Sequence, residues 1–118
     1  MGNIKAVEVL IECGANINLQ DDDGQTALMC ASEYGHVDVV DKLLSKGAKV
    51  DLQDKDGRTT LMWPSWHGHA DIVNKLLAKK ANVDLSDHNC GFTALMYASL
   101  GGRSNVVELL KKSRKFNF

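Results

Sequence analysis

Gln25-Thr26-Ala27-Leu28-Met29 returns 33 residues later as Arg58-Thr59-Thr60-Leu61-Met62, and again after a further 34 as Phe92-Thr93-Ala94-Leu95-Met96. The extra residue falls in Asp87-His88-Asn89-Cys90-Gly91, where the other copies have four. A fixed period of a few tens of residues is the signature of a repeat architecture, and it governs every later inference.

The register persists outward from this segment. Gly35-His36-Val37-Asp38-Val39-Val40 is repeated in type by Gly68-His69-Ala70-Asp71-Ile72-Val73 and by Gly102-Arg103-Ser104-Asn105-Val106-Val107. Leu43-Leu44 matches Leu10-Ile11 and Leu76-Leu77, and Gly14 to Gln20 is echoed by Gly47 to Gln53 and by Lys80 to Ser86.

Elementary chemistry assigns a shape to one period. Asp23-Gly24 and Asp56-Gly57 are tight-turn signals, because Gly accepts positive φ and Asp bonds its own backbone, so a hairpin-like finger projects there. Thr26, Thr59 and Thr93 stand where a helix N-cap hydroxyl is useful, and Gly35, Gly68 and Gly102 follow nine residues later as left-handed helix ends. A second helix carries Val39, Val40, Leu43 and Leu44 at helical spacing and ends at Gly47. Each unit is finger, helix, turn, helix, and its apolar face can be hidden only by stacking on a neighbouring copy.

The period, the Asp-x-x-Gly-x-Thr-x-Leu opening, the Gly-His turn and the Gly-Ala before the next finger resemble the ankyrin repeat over about residues 2 to 112. The resemblance implies an all-α ankyrin-repeat solenoid of stacked helix-turn-helix units with β-hairpin-like fingers. We expect one domain over 1–118, divided into a partial repeat at 1–20 and repeats at 21–53, 54–86 and 87–118. The chain then begins with only a second helix, Asn3 to about Cys13, as if cut from a longer array.

Several residues depart from the family's pattern. Its Thr-Pro-Leu-His is Thr-Ala-Leu-Met or Thr-Thr-Leu-Met here, so Met29, Met62 and Met96 are expected to fill core gaps in place of hydrogen-bonding histidines, with softer packing between repeats. Pro64 falls at about the fifth position of its first helix, where proline costs about 3 kcal/mol or more. It is a kink that reshapes the groove, a tolerated defect, or the sign of a late helix start. Lys80 replaces the glycine found at 14 and 47. Asn18 occupies a position at which some ankyrin repeats resemble substrates of an asparaginyl hydroxylase.

The resemblance also implies a non-catalytic protein-binding module, with a protein or peptide held on the concave face formed by fingers and first helices. Carried over residue by residue, that face comprises Asp22, Asp23, Gln25, Glu33 and Tyr34; then Lys55, Asp56, Arg58, Trp66 and His67; then His88, Asn89, Phe92 and Leu100. Tyr34, Trp66 and Phe92 would line one groove with Trp63 and Tyr97 beside them, and large aromatics on a solvent-facing strip are what interfaces favour. Trp63 and Tyr97 have a second reading as core inserted between repeats, which leaves Trp66 the best single candidate. Asp21 to Asp23, Asp54, Asp56 and Asp87 form either a negative rim that steers a basic partner or ordinary turn chemistry. The alternative function is a structural spacer, or self-association through apolar surface around Leu10 and Leu28 at an incomplete N-terminal repeat.

Composition sets the outer limits. Of 118 residues 44% are hydrophobic and 25% charged, which is ordinary globular usage. A net charge of −1 offers no general attraction for nucleic acid, apart from the basic stretch Lys111 to Lys115, which reads as a solvated helix cap. No apolar run approaches the roughly 20 residues of a membrane span, and no signal peptide or myristoylation site is evident. Three unpaired-looking cysteines, Cys13, Cys30 and Cys90, suit a reducing, cytoplasmic setting. No cofactor, metal or catalytic residue is expected. His67-Gly68-His69 and His88 with Cys90 lack structural-zinc spacing, no cysteine is placed beside a histidine as a nucleophile, and every glycine is used as a turn or helix end.

Overall fold

The computed structural model describes residues 16–114. Six helices follow in pairs: α1 (Ala27–Glu33) with α2 (Val37–Ser45), α3 (Met62–His67) with α4 (Ala70–Ala78), and α5 (Ala94–Leu100) with α6 (Ser104–Arg114). First helices pack on first helices and second on second, so α1, α3 and α5 form one layer and α2, α4 and α6 the other. The expected N-terminal helix and Leu10 lie outside the described residues.

The core is the union of the faces between successive pairs. Leu28, Val40, Leu43, Leu61, Met62, Ile72, Val73, Leu76, Val106 and Leu110 are all at most 1% exposed. Each such aliphatic side chain contributes on the order of 2 kcal/mol by leaving water. Leu28 therefore does not offer the uncovered surface that an incomplete array would leave around it.

Met29 and Met62 are 4% and 0% exposed, whereas Met96, expected in the core with them, is 47% exposed. The same position is covered in the first two helix pairs and open in the third because its cover is the pair that follows among the described residues.

The methionines also do more than fill space. Thr26 Oγ1 accepts the Met29 N–H at 3.1 Å while Met29 Sδ accepts the Thr26 N–H at 3.4 Å. The thioether thus completes a capping box that ordinarily uses Glu or Gln. Met62 Sδ accepts the Thr59 N–H in the same way at 3.4 Å, so part of the hydrogen bonding expected to be lost with histidine is retained by sulfur.

Thr93 caps α5, but Thr59 does not cap α3. That helix starts late, at Met62 after Leu61, with Met62 N–H on the Thr59 carbonyl at 3.2 Å. Pro64 is consequently the third helical residue and not the fifth, within the first turn where backbone N–H groups have no intrahelical acceptor anyway. The residue after it, Ser65, donates its N–H to the Leu61 carbonyl at 3.2 Å. The sequence fits a late start, and no kink is needed to accommodate the ring.

The fingers are tight turns without regular strands among the described residues. Asp21 N–H meets the Gln25 carbonyl at 3.0 Å, Asp54 that of Arg58 at 2.9 Å, and Asp87 that of Phe92 at 2.9 Å. Isolated antiparallel bridges join Gln53 to Thr59 and Ser86 to Thr93. Glycine is required at Gly24 on two counts. Its φ is +80°, and a Cβ there would lie 2.8 Å from the Asp54 Cα and the Lys55 nitrogen of the next finger.

Two stability outcomes follow from this backbone. Pro64 is buried within α3's first turn, so Pro64→Ala restores no lost helical bond, leaves a small void and loosens the unfolded chain. Its melting temperature should be unchanged or lower by the equivalent of about 1 kcal/mol. Lys80 is exposed and has φ +63°, where Gly47 takes +85°. Lys80→Gly should raise stability by about 1 kcal/mol in a urea melt.

Candidate interaction face

The first aspartate of each finger organises the surface beside it. Asp54 is 5% exposed and accepts four hydrogen bonds. Its Oδ1 takes the N–H groups of Asp56 and Arg58 at 2.9 Å each, and its Oδ2 takes Gln25 Nε2 at 2.8 Å and Arg58 Nε at 3.1 Å. Asp87, also 5% exposed, takes the N–H groups of Cys90 and Phe92 on Oδ1 and the Tyr97 hydroxyl on Oδ2. Asp21 uses Oδ1 in the same way for Asp23 and Gln25. These three carboxylates are turn pivots, so for them the turn-chemistry reading holds rather than the negative rim. Asp54 and Asp87 are buried and cannot face a partner.

Two more of the rim carboxylates are paired with cations. Asp23 is exposed and meets Lys55 Nζ at 2.8 Å, which lowers the carboxyl's pKa and raises that of the ammonium. Asp56 accepts Arg58 Nη2 at 2.7 Å. The Asp56–Arg58 pair braces its own finger, whereas Asp23–Lys55 joins two, as do the Lys55 N–H on the Asp23 carbonyl at 3.0 Å and the His88 N–H on the Asp56 carbonyl at 2.7 Å. Gln25 and Arg58, expected to face outward, are half-buried because Asp54 claims their polar ends.

The clamp on Arg58 has a consequence for the aromatics. Held by Asp54 and Asp56, its guanidinium lies 5.1 Å from the centroid of the Trp63 ring. Tyr97 is the hub of the remaining rings, with centroids 5.6 Å from Trp63, 5.7 Å from Phe92 edge-on, and 6.4 Å from Trp66 at 81°. Such offset and edge arrangements are the attractive ones for aromatic pairs. Trp63, Tyr97 and Phe92 are half-buried, which fits the reading of Trp63 and Tyr97 as rings inserted between layers, while Trp66 is 37% exposed.

The other predicted residues fall around this cluster. His67 is exposed and tilts against Trp63 at 6.5 Å. Leu100 is 60% exposed at the end of α5. Tyr34, 66% exposed, stands apart from the other rings. Its neighbour among the described residues is His36, at 6.3 Å. Glu33 is half-exposed at the end of α1, and Cys30, at the position of Trp63 and Tyr97, leaves the first-layer end of the strip without a ring.

Two supporting residues, Gly101 and Arg103, have no assigned role in the sequence analysis. Gly101 lets α5 approach α3, since a Cβ there would lie 2.4 Å from the Trp66 carbonyl oxygen. That oxygen accepts Arg103 Nε at 3.1 Å. His88 lies against Gly57, where any Cβ would meet its ring at 2.4 Å. An intolerance of side chains at Gly57 and Gly101 is invisible in a turn or helix-end assignment alone.

Among the described residues no group of three His, Cys, Asp or Glu side chains is arranged to hold a metal ion; the rings of His67 and His69 stand 5.6 Å apart. No helix among them is long and apolar enough to cross a membrane. Trp66 is the ring of the cluster that reaches furthest into solvent. A groove of about 540 Å³ lies elsewhere, between the loop Gly47 to Leu52 and Lys79.

A family model described as ankyrin repeats (3 copies) matches residues 1–87, and a second, ankyrin repeats (many copies), matches residues 67–110. The chain belongs to the ankyrin-repeat family. Members are in general protein-protein interaction modules, typically without enzymatic activity.

The Asp87–Tyr97 contact has a spectroscopic signature. Burial and the Asp87 carboxylate together push the Tyr97 hydroxyl up to about 12. Burial alone would raise the Asp87 carboxyl, but the Tyr97 hydroxyl and the N–H groups of Cys90, Phe92 and Gly91 outweigh it and hold it below its usual value. Asp87 thus adds stability above the ordinary carboxylate range that is lost as pH falls through its depressed value. Tyr97 adds stability below pH about 10 that is lost as pH rises toward about 12. In an alkaline titration followed by phenolate absorbance, Tyr97→Phe should remove a phase near pH 12, and Asp87→Asn should move that phase to lower pH.

Proposed function

We propose that the chain is a non-catalytic module that docks a protein or peptide on the face built from the fingers and α1, α3 and α5, with Trp66 as its principal contact. The observation that carries this reading is the ring cluster of Trp63, Trp66, Phe92 and Tyr97. Its inner members are fixed by Arg58 and Asp87, and its outermost ring is left partly in solvent. Rigid aromatics contribute contact area at little cost in side-chain entropy, which is why they dominate binding energies at interfaces. The second helices, by contrast, present Asp38, Asp41 and Lys46 to solvent and no large exposed ring.

Leu100, at 60% exposure on α5, and Tyr34, at 66% and apart from the cluster beyond α1, serve as secondary contacts. Asp23, Gln25, Asp56 and Arg58 hold the fingers that frame it, while Glu33 and His67 border it. Family membership supports a protein partner as the class of ligand.

Peptides selected from a random display library on the full chain provide the test. Trp66→Ala should weaken their binding about 30-fold, the effect of losing a contact worth about 2 kcal/mol. Lys46→Ala, on the outer side, should leave it unchanged, with far-UV circular dichroism the same in both variants. Peptides that bind Trp66→Ala as tightly as the parent would remove this face from consideration.

A further inference from the structure

The charges of the molecule are sorted between its two sides. The described finger and first-helix stretches, 21–33, 54–67 and 87–100, hold seven carboxylates against two cations, a net −5. The remaining described stretches up to Ser113 hold six carboxylates and nine cations, a net +3. A whole-chain value of −1 conceals this dipole.

Within the negative side the uncompensated charge is localised. Asp54, Asp56 and Asp23 are paired with Arg58 or Lys55, and Asp87 is buried against Tyr97. Asp21, Asp22 and Glu33 have no cation partner among the described residues and reach solvent, with Asp21 spending Oδ1 on the N–H groups of Asp23 and Gln25. Burial first, then the charges of Asp21 and Glu33, push the Cys30 thiol above its ordinary value, so Asp21 and Glu33 act on the ringless end of the strip beside α1, with Asp22 adjoining Asp21 on the same finger. The face therefore runs from an acidic end at α1 to an aromatic end at α3 and α5. An exposed aromatic patch beside uncompensated carboxylates complements a segment carrying an apolar anchor and cationic side chains.

On the docking-face reading above, we propose that the partner is a basic protein segment whose apolar or aromatic anchor lies on Trp66 and Tyr97 and whose Lys or Arg side chains point toward Asp22 and Glu33. Nucleic acid is disfavoured at this face, because phosphates would meet the net negative side. Trp63 is not the receiving ring for the incoming cation, since Arg58 already covers it.

The test uses the random display library selected on the full chain and counter-selected on Trp66→Ala, so that only Trp66-dependent sequences are read. Those sequences should carry about threefold more Lys and Arg than Asp and Glu, and their affinity should fall about tenfold between about 50 mM and about 500 mM salt. Asp22→Asn combined with Glu33→Gln should weaken them several-fold with unchanged circular dichroism. Trp66-dependent sequences that are neutral or acidic, or whose affinity ignores salt, would overturn the basic-partner inference and leave the docking face standing. Recovery of no Trp66-dependent sequence would overturn both.

Discussion

Each helix pair in this chain has an apolar face too broad to leave in water and too narrow to fold upon itself, so its stability is held in common with its neighbours. The methionine series makes the dependence visible. Met29 and Met62 are buried under the following layer, and Met96, at the same place in the unit, stands nearly half in solvent. Identical local sequence yields different burial solely because of what stacks above it. Leu61, Met62, Ile72 and Leu76 in the middle pair are at most 1% exposed, since that pair has a neighbour on both sides.

The fingers translate this stacking into a surface. Asp54 closes its own turn with one carboxylate oxygen and uses the other to receive Gln25 from the preceding finger and Arg58 from its own. Arg58, so held, lies over Trp63, and Trp63 abuts Tyr97, which is tied in turn to Asp87. A chain of contacts thus runs from one finger through the aromatics to the next. These contacts fix the rings in the free chain, and preorganisation of that kind lowers the entropy cost of any association.

Much of the fold was legible because a repeat is redundant: three versions of Thr-x-Leu-Met and of the closing glycine carry the same message. Thr26 and Thr93 cap as their hydroxyls suggest, Lys80 takes the left-handed turn its register demands, and the helix pairs fall where the apolar spacing puts them. What a position-by-position comparison could not supply was the third dimension. The sequence of Pro64 is compatible with either a kink or a late start, and only the backbone of residues 59–62 decides between them. Aspartates at 54 and 87 look alike whether they project or turn inward; here they turn inward, because adjacent backbone N–H groups and a neighbouring Gln, Arg or Tyr reach them first. The aromatic residues were identifiable as a set, but their division into fixed inner rings and an open Trp66, with Tyr34 apart, depends on Arg58 and Gly101, whose roles are long-range.

Sulfur at the helix starts has one more consequence. Met29 and Met62 each use the thioether as an acceptor inside a closed layer boundary, whereas the Met96 side chain is open to solvent. A mild oxidant acting on the native protein would convert Met96 to its sulfoxide without disturbing any layer boundary. Conversion of Met29 or Met62 would require adjacent layers to separate first, and the bulkier polar sulfoxide would then obstruct their return. Oxidative damage would therefore be benign at Met96 and self-reinforcing at Met29 and Met62.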